Sequence, residues 1–184
     1  MDTSKTNWTV LVKRIRSEEP ESFSELIDAT QKNLFQFCLL LTRNKQFAED
    51  ILHDTYLKSF SSISSLKNPD AMMAWLKQIA RNLYLDYVKS ASHKNEIHSD
   101  DWESKDLRSA EDKTGLQMDV LKILNQLSEE DRTLLILVDI QECSYEETAL
   151  ALKIPEGTVK SRLFRAREKF SLLFDGTKRE PKSS

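Results

Sequence analysis

Apolar residues recur at three- and four-residue intervals along most of this 184-residue chain, the spacing of one helix face rather than the alternation of a strand. Trp8, Leu11, Val12 and Ile15 predict a first short helix ending near Glu18. Pro20 is suited to open the second, because the first helical position needs no amide donor. Phe23, Leu26, Ile27, Leu34, Phe35 and Cys38 then carry that helix to about Thr42. A third helix is predicted from Gln46 to about Ser61 and a fourth from Ala71 to about Ser90, with the polar loop "SSISSLKNPD" between them. Over residues 90–115 the period fails, and seven acidic residues stand against four basic ones. That composition reads as a flexible acidic linker. The period returns over residues 116–127, 129–140, 145–152 and 156–173. Ser128 with Asp131 and Ser144 with Glu147 have the spacing of capping boxes at helix starts. The expected fold is all-α: two small helical domains, residues 1–90 and 116–174, joined by a linker over 91–115 and followed by a disordered tail over 175–184.

Composition agrees with that pattern and narrows the chemistry. Gly 3 and Pro 4 are low counts, so few positions break a helix, and 31% of residues are charged. The longest apolar run, "FCLLL", falls far short of the roughly 18 residues of a membrane span. The N-terminus lacks the basic region and apolar core of a secretion signal. The expectation is a cytoplasmic protein with no membrane insertion. Cys38 and Cys143 are read as reduced packing residues. His53, His93 and His98 have no metal-ligand spacing with them, no glycine-rich phosphate loop occurs, and no hydrolase triad order is present. Neither a cofactor nor a metal is expected, and an enzyme is the weaker reading.

Charge singles out the last helix. The chain carries a formal net charge of −3, yet five of the ten residues from Lys160 to Lys169 are basic. At 100° per residue, Val159, Leu163, Ala166 and Phe170 share one side, which is the expected core face. Gly157, Ser161, Phe164, Arg165 and Glu168 point the other way, with Lys160, Arg162, Arg167 and Lys169 on the flanks. An outward Phe among cations suits a helix in the DNA major groove, where a ring can meet thymine methyls. Gly157 near the helix start would let the backbone approach a phosphate. The preceding segment "SYEETALAL" and the connection "KIP" complete a helix-turn-helix. The 11 basic and 12 acidic residues of 116–184 leave that domain near neutrality with one positive face.

On the third helix Phe47, Ala48, Ile51, Leu52 and Thr55 share the core side. Glu49, His53, Leu57 and Phe60 lie opposite, flanked by Asp50 and Asp54. Acids beside outward Leu and Phe suit either a partner helix or burial within the same domain. On the fourth helix Trp75, Ile79, Asn82 and Asp86 form a stripe that begins apolar and ends polar. It fits either buried hydrogen bonds or an outward site.

These segments together resemble a known family. "CSYEETALALKIPEGTVKSRLFRAREKF" closely resembles the second DNA-binding region of extracytoplasmic-function (group 4) sigma factors of bacterial RNA polymerase. "AEDILHDTYLKSF" and "AWLKQIARNLYLDYVKS" resemble their first conserved domain, so the resemblance spans about residues 23–173. It implies an alternative sigma factor that binds core RNA polymerase, through the β′ clamp helices and the β subunit, and promoter DNA. Lys160, Ser161, Phe164 and Arg165 match positions at −35 base edges. Arg162 and Arg167 match backbone-contacting positions, and Thr158 belongs to the same surface. Asn82, Asp86 and Lys89 would serve the −10 element, with the loop over 61–70 holding a flipped base. Glu49, Asp50, His53, Asp54 and Leu57 would bind core polymerase. The resemblance also implies a monomer when free, no catalysis of its own, and room for an anti-sigma partner. A stand-alone helix-turn-helix regulator is the alternative.

The chain departs from the family pattern in three places. Lys153 stands where the turn usually has Gly, and His53 stands where the clamp-binding motif has Gln. The Arg pair common after Asp86 is replaced by Lys89 and Lys94.

Overall fold

The computed structural model describes residues 6–93 and 115–179, and within them the chain is helical with no strand. Eight helices are present among these residues: α1 (Trp8–Arg16), α2 (Ser22–Thr42), α3 (Lys45–Ser62), α4 (Met72–His93), α5 (Gly115–Gln126), α6 (Glu129–Leu135), α7 (Tyr145–Leu152) and α8 (Glu156–Arg179). They divide into two compact units, with α1–α4 in the first and α5, α6 and α8 in the second. The core of the expected linker, residues 94–114, lies outside the described residues, as do residues 180–184 of the expected tail. Both flanking helices are longer than the sequence pattern predicts, since α4 continues to His93 and α8 to Arg179.

In the N-terminal unit α2, α3 and α4 pack together around Leu26, Leu34, Phe37, Cys38 and Leu41, Ala48 and Ile51, and Met72, Leu76 and Ala80. Full burial of a Leu or Phe side chain contributes about 1.5–3 kcal/mol, and this cluster is the main source of stability. Leu11, Val12 and Ile15 close the core from α1. The Cys38 thiol lies within it, and burial pushes it up to about 12, so it is a packing group and not a reactive thiolate. Cys143 is half-buried, and neither cysteine is in a disulfide. Thr30 and Tyr56 pair inside the core. Thr30 donates to the Leu26 carbonyl at 2.7 Å, and its hydroxyl lies 2.8 Å from that of Tyr56.

Pro20 does not open α2. It occupies the second position of a turn closed by the Ser22 amide on the Glu19 carbonyl at 3.3 Å, with Glu21 left-handed at φ 68. Proline favours that place in a turn that needs positive φ next. The Arg14 side chain fixes this corner, forking onto Glu25 at 2.6 and 2.8 Å and reaching Glu19 at 2.9 Å. Sequence periodicity could not show these bonds, because they join α1 to the turn and to the start of α2.

In the C-terminal unit α5 and α6 pack on α8, burying Ile123, Leu124, Leu134, Val159, Leu163 and Ala166. Both capping serines act as the spacing predicts. The Asp131 amide donates to Ser128 Oγ at 3.2 Å. Ser144 and Glu147 form the full reciprocal box, with bonds of 2.7 and 3.1 Å. The segment expected as one helix over 129–140 widens into a π-turn from Ile136 to Ile140. There the Gln141 amide bonds the Ile136 carbonyl, five residues back, at 2.9 Å.

Candidate nucleic-acid and partner interfaces

The helix-turn-helix is formed by α7, a three-residue connection and α8. At its corner the Ile154 amide bonds the Ala149 carbonyl at 3.1 Å and the Lys153 amide bonds that of Leu150 at 3.4 Å. This is the Schellman pattern, which places the intervening residue in the left-handed region. Lys153 is there, at φ 54, in a position that glycine fills at lower cost.

From this turn α8 presents the two faces the periodicity predicts. Val159, Leu163 and Ala166 are buried, and Phe170 is half-buried. Lys160, Ser161, Arg165 and Arg167 are exposed, Thr158 and Arg162 are half-buried, and Phe164 is 64% exposed. A Cβ at Gly157 would meet nothing within 4 Å, so the fold does not require glycine there. The bare backbone at the helix start is open to an outside group.

The side chains add partners that helical periodicity does not reveal. Lys160 pairs with Glu156 at 2.8 Å and lies 5.7 Å from the centroid of the Tyr145 ring. Arg162 reaches Glu130 at 3.3 Å, Lys169 reaches Asp131 at 2.5 Å, and Arg167 forks onto Asp139 at 3.2 and 2.5 Å. The Asp139 bonds raise the Arg167 guanidinium above its ordinary value. Partial burial pushes the Asp131 carboxyl up, but Lys169 and the Ser128 hydroxyl outweigh it and hold the group low. The only sequence signal for these counter-ions is the excess of acids over 129–147, seven against one base.

In the N-terminal unit α3 separates its faces as expected. Ala48, Ile51 and Thr55 are buried, and Phe47 and Leu52 half-buried. Glu49, Asp50, His53 and Asp54 are exposed, while Leu57 and Phe60 are 59% and 60% exposed. Burial of both faces within the unit is thereby excluded. Phe23 and Ile27 of α2 are only half-buried. They join Leu52, Tyr56, Leu57 and Phe60 along a groove of about 510 Å³ that Glu49 and His53 also line. Phe23 meets Phe60 edge-on at 5.1 Å. The groove is a tertiary feature, lined by residues of both α2 and α3.

On α4, Ile79 is buried, Trp75 and Asn82 are half-buried, and Asp86 and Lys89 are exposed. The polar end of the stripe therefore faces outward. The loop before α4 is less free than its composition suggests. Ile63 and Leu66 are buried, and Arg16 donates to both their carbonyls, at 3.2 and 2.5 Å. Ser61, Ser64, Ser65, Lys67, Asn68 and Asp70 remain exposed. An exposed Tyr87 beside Phe47, 4.2 Å between centroids, was not anticipated.

Both units, the one whose α3 exposes acids beside Leu57 and Phe60 and the one with the helix-turn-helix, match known protein families. Residues 26–94 match sigma-70 region 2, and residues 117–170 match sigma-70 region 4. The ECF RNA polymerase sigma factor SigM of Bacillus subtilis (strain 168) is 30% identical over 159 residues, covering 84% of this chain and 96% of that protein. The ECF RNA polymerase sigma factor EcfG of Rhodopseudomonas palustris (strain TIE-1) is 33% identical over 157 residues, covering 83% and 85%. Among solved structures, the sigma factor RpoE of Bartonella quintana, in complex with the anti-sigma factor NepR, superposes with a TM-score of 0.67. It is 26% identical, covering 84% of this chain and 98% of that one. The chain belongs to the ECF family of RNA polymerase sigma factors. It acts in promoter-specific transcription initiation with RNA polymerase, which sets aside the stand-alone regulator.

Among the described residues no group of three or more His, Cys, Asp or Glu could hold a metal. No helix there is long and apolar enough to cross a membrane.

Proposed function

We propose that the two units divide promoter recognition between them. The C-terminal unit, residues 116–174, reads the −35 element with α8. Lys160, Ser161, Phe164 and Arg165 face base edges, Thr158 lies beside them, and Arg162 and Arg167 lie on the flanks, toward the backbone phosphates. The observation that carries this reading is Phe164. A ring 64% exposed between cations has no use in the domain's own core, but it can meet a thymine methyl in the major groove.

The N-terminal unit, residues 1–90, docks on core polymerase through Glu49, Asp50, His53, Asp54 and Leu57, against the β′ clamp helices. Exposed Leu57 and Phe60 beside four ionisable groups form a surface with an apolar centre and a polar rim, the anatomy of a protein interface. Asn82, Asp86, Lys89 and the loop over 61–70 hold the unwound −10 strand. Unstacking its bases costs a few kcal/mol, which the captured bases must offset by hydrogen bonding and stacking. The β subunit is a further contact, and an anti-sigma partner would compete for these surfaces. The chain works in the cytoplasm as a monomer when free, without a cofactor or a reaction of its own.

Run-off transcription on a promoter library tests the whole reading, using core enzyme known to be active with another sigma factor. The expected outcome is initiation at a defined promoter class only when this chain is added. Initiation at no promoter would refute it.

A further inference from the structure

The three acids that engage α8 from outside it come from one neighbourhood. Glu130 and Asp131 are on α6, and Asp139 is on the π-turn that follows. They hold Arg162, Lys169 and Arg167. The π-turn leaves Ile136 and Leu137 buried and Asp139 exposed toward Arg167. By contrast Lys160 takes its ion-pair partner among the described residues from its own helix, Glu156. Arg165 makes no ion pair among the described residues, and its Nε reaches only the Ser161 carbonyl, at 3.4 Å. The five cations therefore fall into two sets: three braced by acids of α6 and its turn, and two presented at the front beside Phe164.

We infer that Asp139, supported by Asp131 and Glu130, is a specificity-determining residue that touches no DNA: it withholds flanking cations from phosphates, so that contacts to bases dominate binding. The inference rests on the reading of α8 as the base-reading helix. Phosphate contacts contribute equally on every sequence and supply essentially all non-specific affinity. A guanidinium forked onto a carboxylate must give up two charge-assisted bonds before it can bind phosphate. Doing so leaves that carboxylate unpaired beside the DNA polyanion. The brace thus discounts the sequence-independent contacts of Arg167, and to a lesser degree those of Arg162 and Lys169. It makes no direct contact with Lys160, Arg165 or Phe164. Asp139 makes the bidentate pair of the three, so it is the strongest position to test.

The test uses the full chain and two probes: a duplex enriched by the wild-type chain from a randomised pool, and a shuffled duplex of equal composition. Asp139→Asn keeps the shape and removes the charge. It is expected to raise affinity for the shuffled duplex about two- to fivefold, the scale of an exposed ion pair. The slope of log K against log salt should steepen by ~0.9, one phosphate, and the preference for the enriched duplex should fall. On an Arg167→Ala background the same substitution should change neither quantity. Glu130→Gln, at a carboxylate 68% exposed, is a second variant with little burden on folding and should shift both quantities in the same direction. Unchanged or weaker shuffled-duplex binding in Asp139→Asn would overturn the inference. So would an equal gain on the Arg167→Ala background, since that would be the generic effect of one fewer negative charge. If the wild-type chain enriches no duplex, the base-reading assignment fails instead, while the salt slopes on the shuffled duplex still decide the fate of the brace.

Discussion

Replacing Lys153 by Gly should stabilise the C-terminal unit, although it deletes a whole side chain. Lys153 sits at φ 54, where a non-glycine residue costs roughly 1–2 kcal/mol. The turn cannot relax away from that angle without losing the bonds from Ile154 to Ala149 and from Lys153 to Leu150. The Lys153 side chain is exposed, so little packing is lost with it. Against the relief stands the extra freedom glycine gives the unfolded chain, roughly 0.5–1 kcal/mol. The balance favours Lys153→Gly by about 0.5–1 kcal/mol, a two- to fivefold change in the opening equilibrium. Trp8, Trp75 and Trp102 all precede this unit, so tryptophan fluorescence is a poor reporter. Amide hydrogen exchange at Val159 to Leu163 reads it directly, and exchange there should slow two- to fivefold. Lys153→Asn, which tolerates the left-handed region better than Lys, should fall between the two, and Lys153→Val should exchange faster than wild type. Unchanged or faster exchange in Lys153→Gly would show that the turn is not strained, and the argument from φ would be wrong.

Four further outcomes follow from the surfaces. Lys160→Ala and Arg165→Ala should each cost ~1–3 kcal/mol and relax preference at one −35 position. Phe164→Ala should weaken only sites with thymine beneath the ring, all three measured with the full chain on base-substituted duplexes. Asp50→Ala combined with Leu57→Ala should weaken binding to core polymerase while leaving helicity unchanged, and unaltered affinity would place the clamp surface elsewhere. Asp131 is held below its ordinary value of 3.8, so its pairing stabilises the fold above that pH and is lost as pH falls through the depressed folded value. Lys169→Ala should raise the Asp131 midpoint, because burial then acts with less opposition. A carboxyl NMR titration that shows no movement would refute the pairing.

What the sequence determined by itself was whatever depends on near neighbours along the chain. Helical period placed the buried faces of α3 and α8, because residues three and four apart share a side whatever packs against them. The serines at 128 and 144 marked helix starts for the same reason, since a cap reaches only three residues on. The exposed Leu57, Phe60 and Phe164, and hence both candidate interfaces, were legible as apolar residues on the wrong side of an amphipathic pattern. Lys153 was legible as a misfit only through the resemblance to a family whose turn usually has Gly.

Tertiary structure decided what depends on distant neighbours. Pro20 went to a turn rather than a helix start because Arg14 of α1 ties down Glu19 and Glu25 on either side of it. Phe23 and Ile27 became groove walls because α3 does not cover them fully, which no period on α2 alone records. Most of all, the charge on α8 reads in sequence as one uniform positive face. Glu130, Asp131 and Asp139 lie 28 to 38 residues away from the cations they hold. Only folding brings opposite charges that far apart in sequence within hydrogen-bond range, and Coulomb attraction at that range, not composition, decides which cations are held by acids.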